Sequence, residues 1–138
     1  MDEKTREVKY GERTTPEIER IAAEIVDAAY KVHRTLGPGL LESVYEACME
    51  YELKRRGLRV ERQKKVAICF DGMLLDDALR MDLLVEDCVI VEIKAVETMN
   101  PVFTAQTLTY LKLAGKQLAF LINFNVPRIK DGIKRFIR

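Results

Sequence analysis

The sequence predicts an α/β fold in which helices cover a mixed β-sheet, and three observations carry that prediction. Apolar residues recur at helical spacing along the first quarter of the chain. Strand-like segments then follow around an Asp71-Gly72 turn. Two nearly all-apolar segments, VIVEIKAV (Val89–Val96) and QLAFLINF (Gln117–Phe124), flank one further helical stretch. Helices before and between strands imply layers of helix on sheet. Strands that are apolar on both sides belong in the middle of a covered sheet.

Each element has its own signal. Residues 1–13 are charged and read as a flexible tail, followed by one domain over 14–138. Thr15 and Pro16 supply a hydroxyl N-cap and a proline at the first helical position. Ile18, Ile21, Ala22, Ile25, Ala29, Val32 and Leu36 then form one apolar stripe, which Gly37-Pro38-Gly39 stops. A second helix is expected from about Leu41 to Arg56, with Lys54, Arg55 and Arg56 at the negative end of its dipole. LRVERQKKVAICF (Leu58–Phe70) reads as one long or bent strand, and Asp71-Gly72 as a hairpin turn. LRMDLLVE and CVIVEIKAV complete a three-stranded meander across a turn at Glu86-Asp87. Asn100-Pro101 opens a helix that Gly115 closes, QLAFLINF is a buried strand, and PRIKDGIKRFIR is expected to be a basic turn or helix. The order is α-α-β-β-β-α-β with a helical end, and no internal repeat is present.

A chain of 138 residues, 48% apolar and 33% charged, suits one domain with a single sizeable core. No run approaches the roughly 18 apolar residues that a membrane span needs. The charged start MDEKTREVKY lacks the apolar stretch of a signal peptide, so a cytoplasmic location is expected. Cys48, Cys69 and Cys88 show no CxxC spacing; they read as small core residues rather than zinc ligands or a disulfide framework. Net charge is +1, but it is unevenly spread. Residues 1–53 hold 7 Lys/Arg against 12 Asp/Glu, whereas residues 54–138 hold 16 against 10. Basic clusters around Lys54–Lys65 and at the C-terminus are either tracks for a phosphate backbone or solvated faces.

The chemistry begins with VIVEIKAV. On a strand, Glu92 and Lys94 point to one face, with Ile90, while Val89, Val91 and Ile93 point to the other. A buried ion pair between them rarely repays its desolvation. A divalent cation with an anionic ligand accounts for the placement better: the carboxylate ligates the metal and the ammonium neutralises the ligand. Asp82, in the preceding strand, is a second carboxylate where a core residue is expected, and the Glu86-Asp87 turn brings it to the height of Glu92. Two carboxylates, water and a lysine fit Mg2+ chemistry; the plainer reading has Asp82 capping a turn or pairing with Arg80. Glu42 shares a helical face with Tyr45, Glu46 and Met49 and by itself would be an ordinary surface glutamate. Gln106 and Tyr110, four apart on the later helix, face either solvent or a nucleic-acid phosphate or base edge. His33 reads as a packing residue.

Asp82, nine residues, then Glu92-Ile93-Lys94 resembles the D-x(n)-E-x-K signature of the PD-(D/E)XK nuclease superfamily. Glu42 on the preceding helix and Gln106-x-x-x-Tyr110 on the following one resemble its RecB-type and lambda-exonuclease-type branches. Within these, GLLESVY (Gly39, Glu42, Tyr45) is similar to the proteins named GxxExxY. VHRTLGPGLLESVYE, DLLVED, VEIKAVE, QTLTYLKL and LINFNVPRIKDGIKR extend the likeness over residues 17–138. One departure stands out: some RecB-type nucleases carry a histidine on the first core helix, where this chain has Glu42.

The resemblance implies a restriction-endonuclease-like α-β-β-β-α-β core with an extra N-terminal helix. It further implies a metal-dependent nuclease acting on nucleic acid, DNA above all. Asp82, Glu92 and Glu42 would hold Mg2+ or Mn2+ with the Ile93 carbonyl oxygen, and Lys94 would stand by the attacking water. Gln106, Tyr110 and Tyr45 would bind nucleic acid or support the site. A homodimer or a partner subunit would supply target recognition that so small a chain lacks. The alternative on the same fold is a catalytically silent nucleic-acid-binding or protein-interaction module.

Overall fold

A computed structural model describes residues 5–7 and 12–138. Helix α1 spans Pro16–Leu36; the Thr15 hydroxyl caps it by accepting from the Ile18 N–H at 3.3 Å. Gly37, at φ 73°, ends it in a conformation that favours glycine. Helix α2 (Glu42–Arg55) follows, then strands β2 (Val60–Phe70), β3 (Met73–Val85) and β4 (Val89–Lys94). Helix α3 (Pro101–Ala114) is capped by the Asn100 side chain and closed by Gly115 in the left-handed region. It leads to β5 (Leu118–Asn123), a 3-10 turn at Ile129–Gly132 and β6 (Ile133–Ile137).

Among the described residues the sheet has six strands in the order β1-β6-β5-β4-β3-β2, β1 being the short strand Arg6–Glu7. Among the described residues β4 and β5 run parallel and every other pair is antiparallel. Helices α1 and α2 cover one face, where Ile25, Tyr45 and Met49 pack on Val91, Ile93 and Phe120. Helix α3 covers the other, with Leu108 and Leu111 against Ile90, Leu121 and Phe136. Fully burying one such side chain contributes roughly 1.5–3 kcal/mol. Strand β4 is therefore apolar on both sides, and Glu92 is its one buried charged residue.

Three expectations need correction. The C-terminal segment is a strand after a 3-10 turn, not a basic helix or turn. Without β6 the second edge of β5 would lie unpaired, and Phe136 on one face and Ile133 and Ile137 on the other suit that edge. The expected tail of residues 1–13 lies partly outside the described residues, but Arg6 and Glu7 pair with Ile137 and Phe136. Cys48 and Cys88 pack at the core margin, whereas Cys69 is exposed because β2 and β3 outrun the helices at their hairpin end.

The uneven charge is largely matched inside the chain. Arg56 bonds Glu52 from its own helix and reaches Glu24 and Asp27 on α1. Arg62 meets Glu46 and Glu50, Lys54 meets Glu50, and Arg135 bonds Glu19. Burial would raise the Glu19 pKa, but hydrogen bonds from Arg135 and Thr14 hold it down at about 2. Lys54, Arg56 and Arg62 of the first basic cluster and Arg135 of the C-terminal one thus answer acidic residues of the helices rather than forming a free basic track.

Tyr45 anchors the turn before α2. It is fully buried, stacks on Phe124 at 4.7 Å, donates its hydroxyl to the Gly37 carbonyl at 2.6 Å and accepts from the Leu40 N–H at 3.1 Å. Tyr45→Phe keeps the ring and leaves both backbone groups without this partner, so a loss of about 1–2 kcal/mol is expected by denaturant unfolding.

Candidate active site

β3 and β4 part company at one point. Their backbone ladder runs from Val85↔Val89 to Leu83↔Val91 and goes no further. At the next position stand Asp82 and Glu92, and their side chains take over. Glu92 Oε2 accepts from the Asp82 N–H at 2.8 Å, and Asp82 Oδ2 accepts from the Ile93 N–H at 2.8 Å. Two backbone donors that lose their ladder partners are thus satisfied by carboxylates. The strands separate around a polar cavity while both carboxylates are held fast.

The cavity, about 380 Å3 in volume, draws on five elements: Glu42, Ser43 and Glu46 from α2, Gln63 from β2, Arg80 and Asp82 from β3, Glu92 and Lys94 from β4, and Gln106 and Tyr110 from α3. Lys94 Nζ sits 4.4 Å from the centre of the Phe103 ring and 3.9 Å from Glu42 Oε1. Its position is fixed from behind by Asn123, which pairs with it in register on β5. The buried Asn123 amide accepts from the Val96 N–H and donates to the Val96 carbonyl, pinning the chain just past Lys94. Gln106 donates to the Tyr110 hydroxyl at 3.0 Å at the α3 wall of the cavity. A larger cavity of about 640 Å3 lies along α1, but there the Glu19 carboxylate is already matched by Arg135.

The structure brings Asp82, Glu92, Lys94, Glu42, Gln106 and Tyr110 to one cavity and puts the Ile93 backbone beside it. It does not bring Tyr45, which is buried beneath α2 and can support the site only through the turn it holds. His33 is buried too, and its Nε2 bonds the Val126 carbonyl at 2.7 Å.

Two residues escape sequence reasoning. Glu46 is buried, bonded by Gln63 and by Arg62 at 3.1 Å. Gln63 also reaches Asp82 Oδ1 at 3.4 Å, bridging the two carboxylates. Its backbone, at φ 55°, is in the left-handed region opposite Asp82, a conformation that costs about 1 kcal/mol or more in a non-glycine residue. Glu46 had a signal, lying one helical turn after Glu42. Gln63 had none, because a single left-handed residue leaves no trace in a polar run.

The electrostatics are unbalanced. Burial raises the Glu92 pKa to about 8, and the Asp82 charge adds to the shift against its backbone bond and Lys94. Burial likewise raises Asp82 to about 6, with Glu46 and Glu42 contributing. Lys94, with Arg80 at the cavity wall and Arg62 on Glu46, leaves both carboxyls raised. Among the described residues no three His, Cys, Asp or Glu side chains converge closely enough to hold a metal ion by themselves. The donor set at Asp82 and Glu92 is nevertheless all oxygen and short of positive charge. It fits a hard divalent cation that keeps several waters and takes one or two carboxylates from the protein.

Comparison with known proteins adds one finding. The family described as the PD-(D/E)XK nuclease superfamily matches residues 19–136, and the chain belongs to it. No curated protein and no solved structure matches the chain. Among the described residues no helix is long and apolar enough to cross a membrane.

A pH dependence follows from the two raised carboxylates. Their unfolded values lie near 4, so the folded state binds these protons more tightly. The stability they contribute is complete below about pH 4 and is lost as pH rises through the folded values. The melting temperature of the metal-free protein is therefore expected to fall between about pH 5 and about pH 8. Glu92→Gln should flatten that fall; an unchanged slope would assign it to other groups.

Proposed function

We propose that this member of the PD-(D/E)XK nuclease superfamily is a metal-dependent nuclease that hydrolyses phosphodiester bonds in DNA, with Mg2+ or Mn2+ held at Asp82 and Glu92. The observation that carries the reading is the reciprocal bonding of these two carboxylates. Each commits one oxygen to a backbone N–H, Glu92 Oε2 and Asp82 Oδ2, which leaves Glu92 Oε1 and Asp82 Oδ1, the latter also reached by Gln63 at 3.4 Å, as the oxygens a cation would take. The Gly39-x-x-Glu42-x-x-Tyr45 pattern supports placement in the GxxExxY group of the RecB-type and lambda-exonuclease-type branch, as a single cytoplasmic domain over residues 14–138.

Asp82 and Glu92 would be the principal ligands, with the Ile93 carbonyl oxygen beside them and Glu42 of α2 facing the same cavity as a further carboxylate. A bound divalent cation supplies a water of lowered pKa and neutralises charge on the phosphate. The chain supplies the rest. Lys94 orients the attacking water, assists its deprotonation and offsets charge as it builds on the phosphoryl oxygens. Phe103 and Glu42 hold the Lys94 ammonium in place. The first turn of α2 has no side-chain cap, and its partial positive charge lies at the cavity wall, where a phosphate oxygen is favoured. Gln106, Tyr110 and Arg80 contact the nucleic-acid strand at the mouth of the site.

Calorimetric titration of Mg2+ and Mn2+, paired with cleavage assays on single- and double-stranded DNA, tests this reading. Wild type is expected to bind the cation and cleave, and Asp82→Asn and Glu92→Gln to lose both. Lys94→Ala is expected to keep cation binding and lose at least about 100-fold in cleavage rate. Cleavage retained by Lys94→Ala would sink the assignment. A wild-type protein that binds no cation would favour a catalytically silent module on the same fold.

A further inference from the structure

Adjacent residues of a regular strand point to opposite faces, yet Arg62 and Gln63 both bond Glu46 of α2. The left-handed backbone of Gln63, at φ 55°, brings the two side chains to one side. Strand β3 makes the matching change. The register pairs Arg62 with Leu83 and Lys64 with Met81, so Gln63 stands opposite Asp82. Met81 and Leu84 pack in the core under α3, whereas Leu83 and Val85 pack in the core under α1 and α2. Regular alternation keeps Met81 and Leu83 on one face. Here it slips by one residue at Asp82 and leaves that residue in neither core.

The two irregular residues meet through their side chains. A glutamine carboxamide has two N–H donors. That of Gln63 donates to Glu46 Oε1 and reaches Asp82 Oδ1 at 3.4 Å. Glu46 is buried, and Arg62 holds its other oxygen at 3.1 Å, so the carboxamide is anchored at its α2 end. Asp82 Oδ2 is committed to the Ile93 N–H, and Oδ1 is the oxygen whose direction Gln63 sets. A glutamine that merely faced solvent would gain nothing from a left-handed backbone. Such conformations persist where other contacts demand them, and they gather at functional sites. Gln63 is exposed and fills no core, so its bonds to the two carboxylates are the contacts that hold it there.

We propose that Gln63 is a positioning residue for the cation assigned above to Asp82 and Glu92: its carboxamide aims Asp82 Oδ1 into the site and ties it to Glu46. The inference rests on the nuclease reading. A carboxylate oxygen has lone pairs for both an N–H and a cation, so the hydrogen bond and ligation are compatible. Hydrogen bonds to ligating carboxylates fix the direction of the ligand, and losing one costs about 10- to 100-fold in metal affinity.

Mn2+ titration calorimetry on wild type, Gln63→Gly and Gln63→Met tests this, with thermal melts of the same samples. Glycine accepts the left-handed backbone without steric cost and removes the carboxamide; methionine keeps the length and removes the donors. Both variants are expected to melt cooperatively and to bind Mn2+ about 10- to 100-fold more weakly than wild type. DNA cleavage lost at limiting Mn2+ should return at saturating Mn2+. Wild-type affinity in Gln63→Gly overturns the inference, because the backbone alone would then be what residue 63 supplies. Tighter binding in Gln63→Gly overturns it too, since the carboxamide would then compete with the cation for Asp82 Oδ1. So does cleavage that stays lost at saturating Mn2+, which would place Gln63 in the reaction itself. A wild-type chain that binds no Mn2+ overturns the nuclease reading first and this inference with it.

Discussion

The reciprocal bonding of Asp82 and Glu92 to each other's strand is the constraint on which the rest of the site depends. A polar cavity cannot open inside a sheet without orphaning backbone donors, and an orphaned buried N–H costs roughly 1–3 kcal/mol. Here the carboxylates take the places of carbonyl oxygens. The ladder stops, the strands part, and no donor is lost at the Asp82 and Ile93 amides. The same two bonds fix both carboxylates at one height.

That arrangement leaves a debt of charge. Desolvation raises both carboxylates, and two more from α2 face the same cavity. Lys94 is the one cation inserted from β4, held against Phe103 and braced through Asn123. Elsewhere the chain treats charge differently. Glu19 is met by Arg135 and Thr14, and Glu52 by Lys31 and Arg56, and the pKa values of these two carboxyls are lowered rather than raised; Glu24 and Asp27 on α1 are paired with Arg56. The contrast separates carboxylates that hold helices together from carboxylates kept short of cations around a cavity.

Much of the fold was legible because local signals were strong. Thr15-Pro16, Asp71-Gly72, Asn100-Pro101 and Gly115 each impose one backbone outcome, and the structure has a helix start, a hairpin, a second helix start and a helix end there. The C-terminal strand was not legible: IKRFI is short, basic and ambiguous in period, and only the open edge of β5 decides its conformation. Likewise Arg6 and Glu7 read as tail because nothing local marks a two-residue strand that exists only against β6.

At the site the same division holds. The sequence by itself determined that Glu92 and Lys94 share a face of a buried strand, that Asp82 interrupts the neighbouring strand, and that Glu42, Gln106 and Tyr110 ride on helices either side. Strand alternation and helical period are local properties, so spacing suffices to read them. Only the tertiary structure decided which of these meet. It sent Tyr45 inward to hold the Gly37 turn, turned Glu46 toward Gln63, and swung Gln63 through a left-handed backbone to bridge Glu46 and Asp82. Those outcomes depend on where two helices and three strands cross, and a crossing is set by packing between distant segments rather than by the spacing within any one of them.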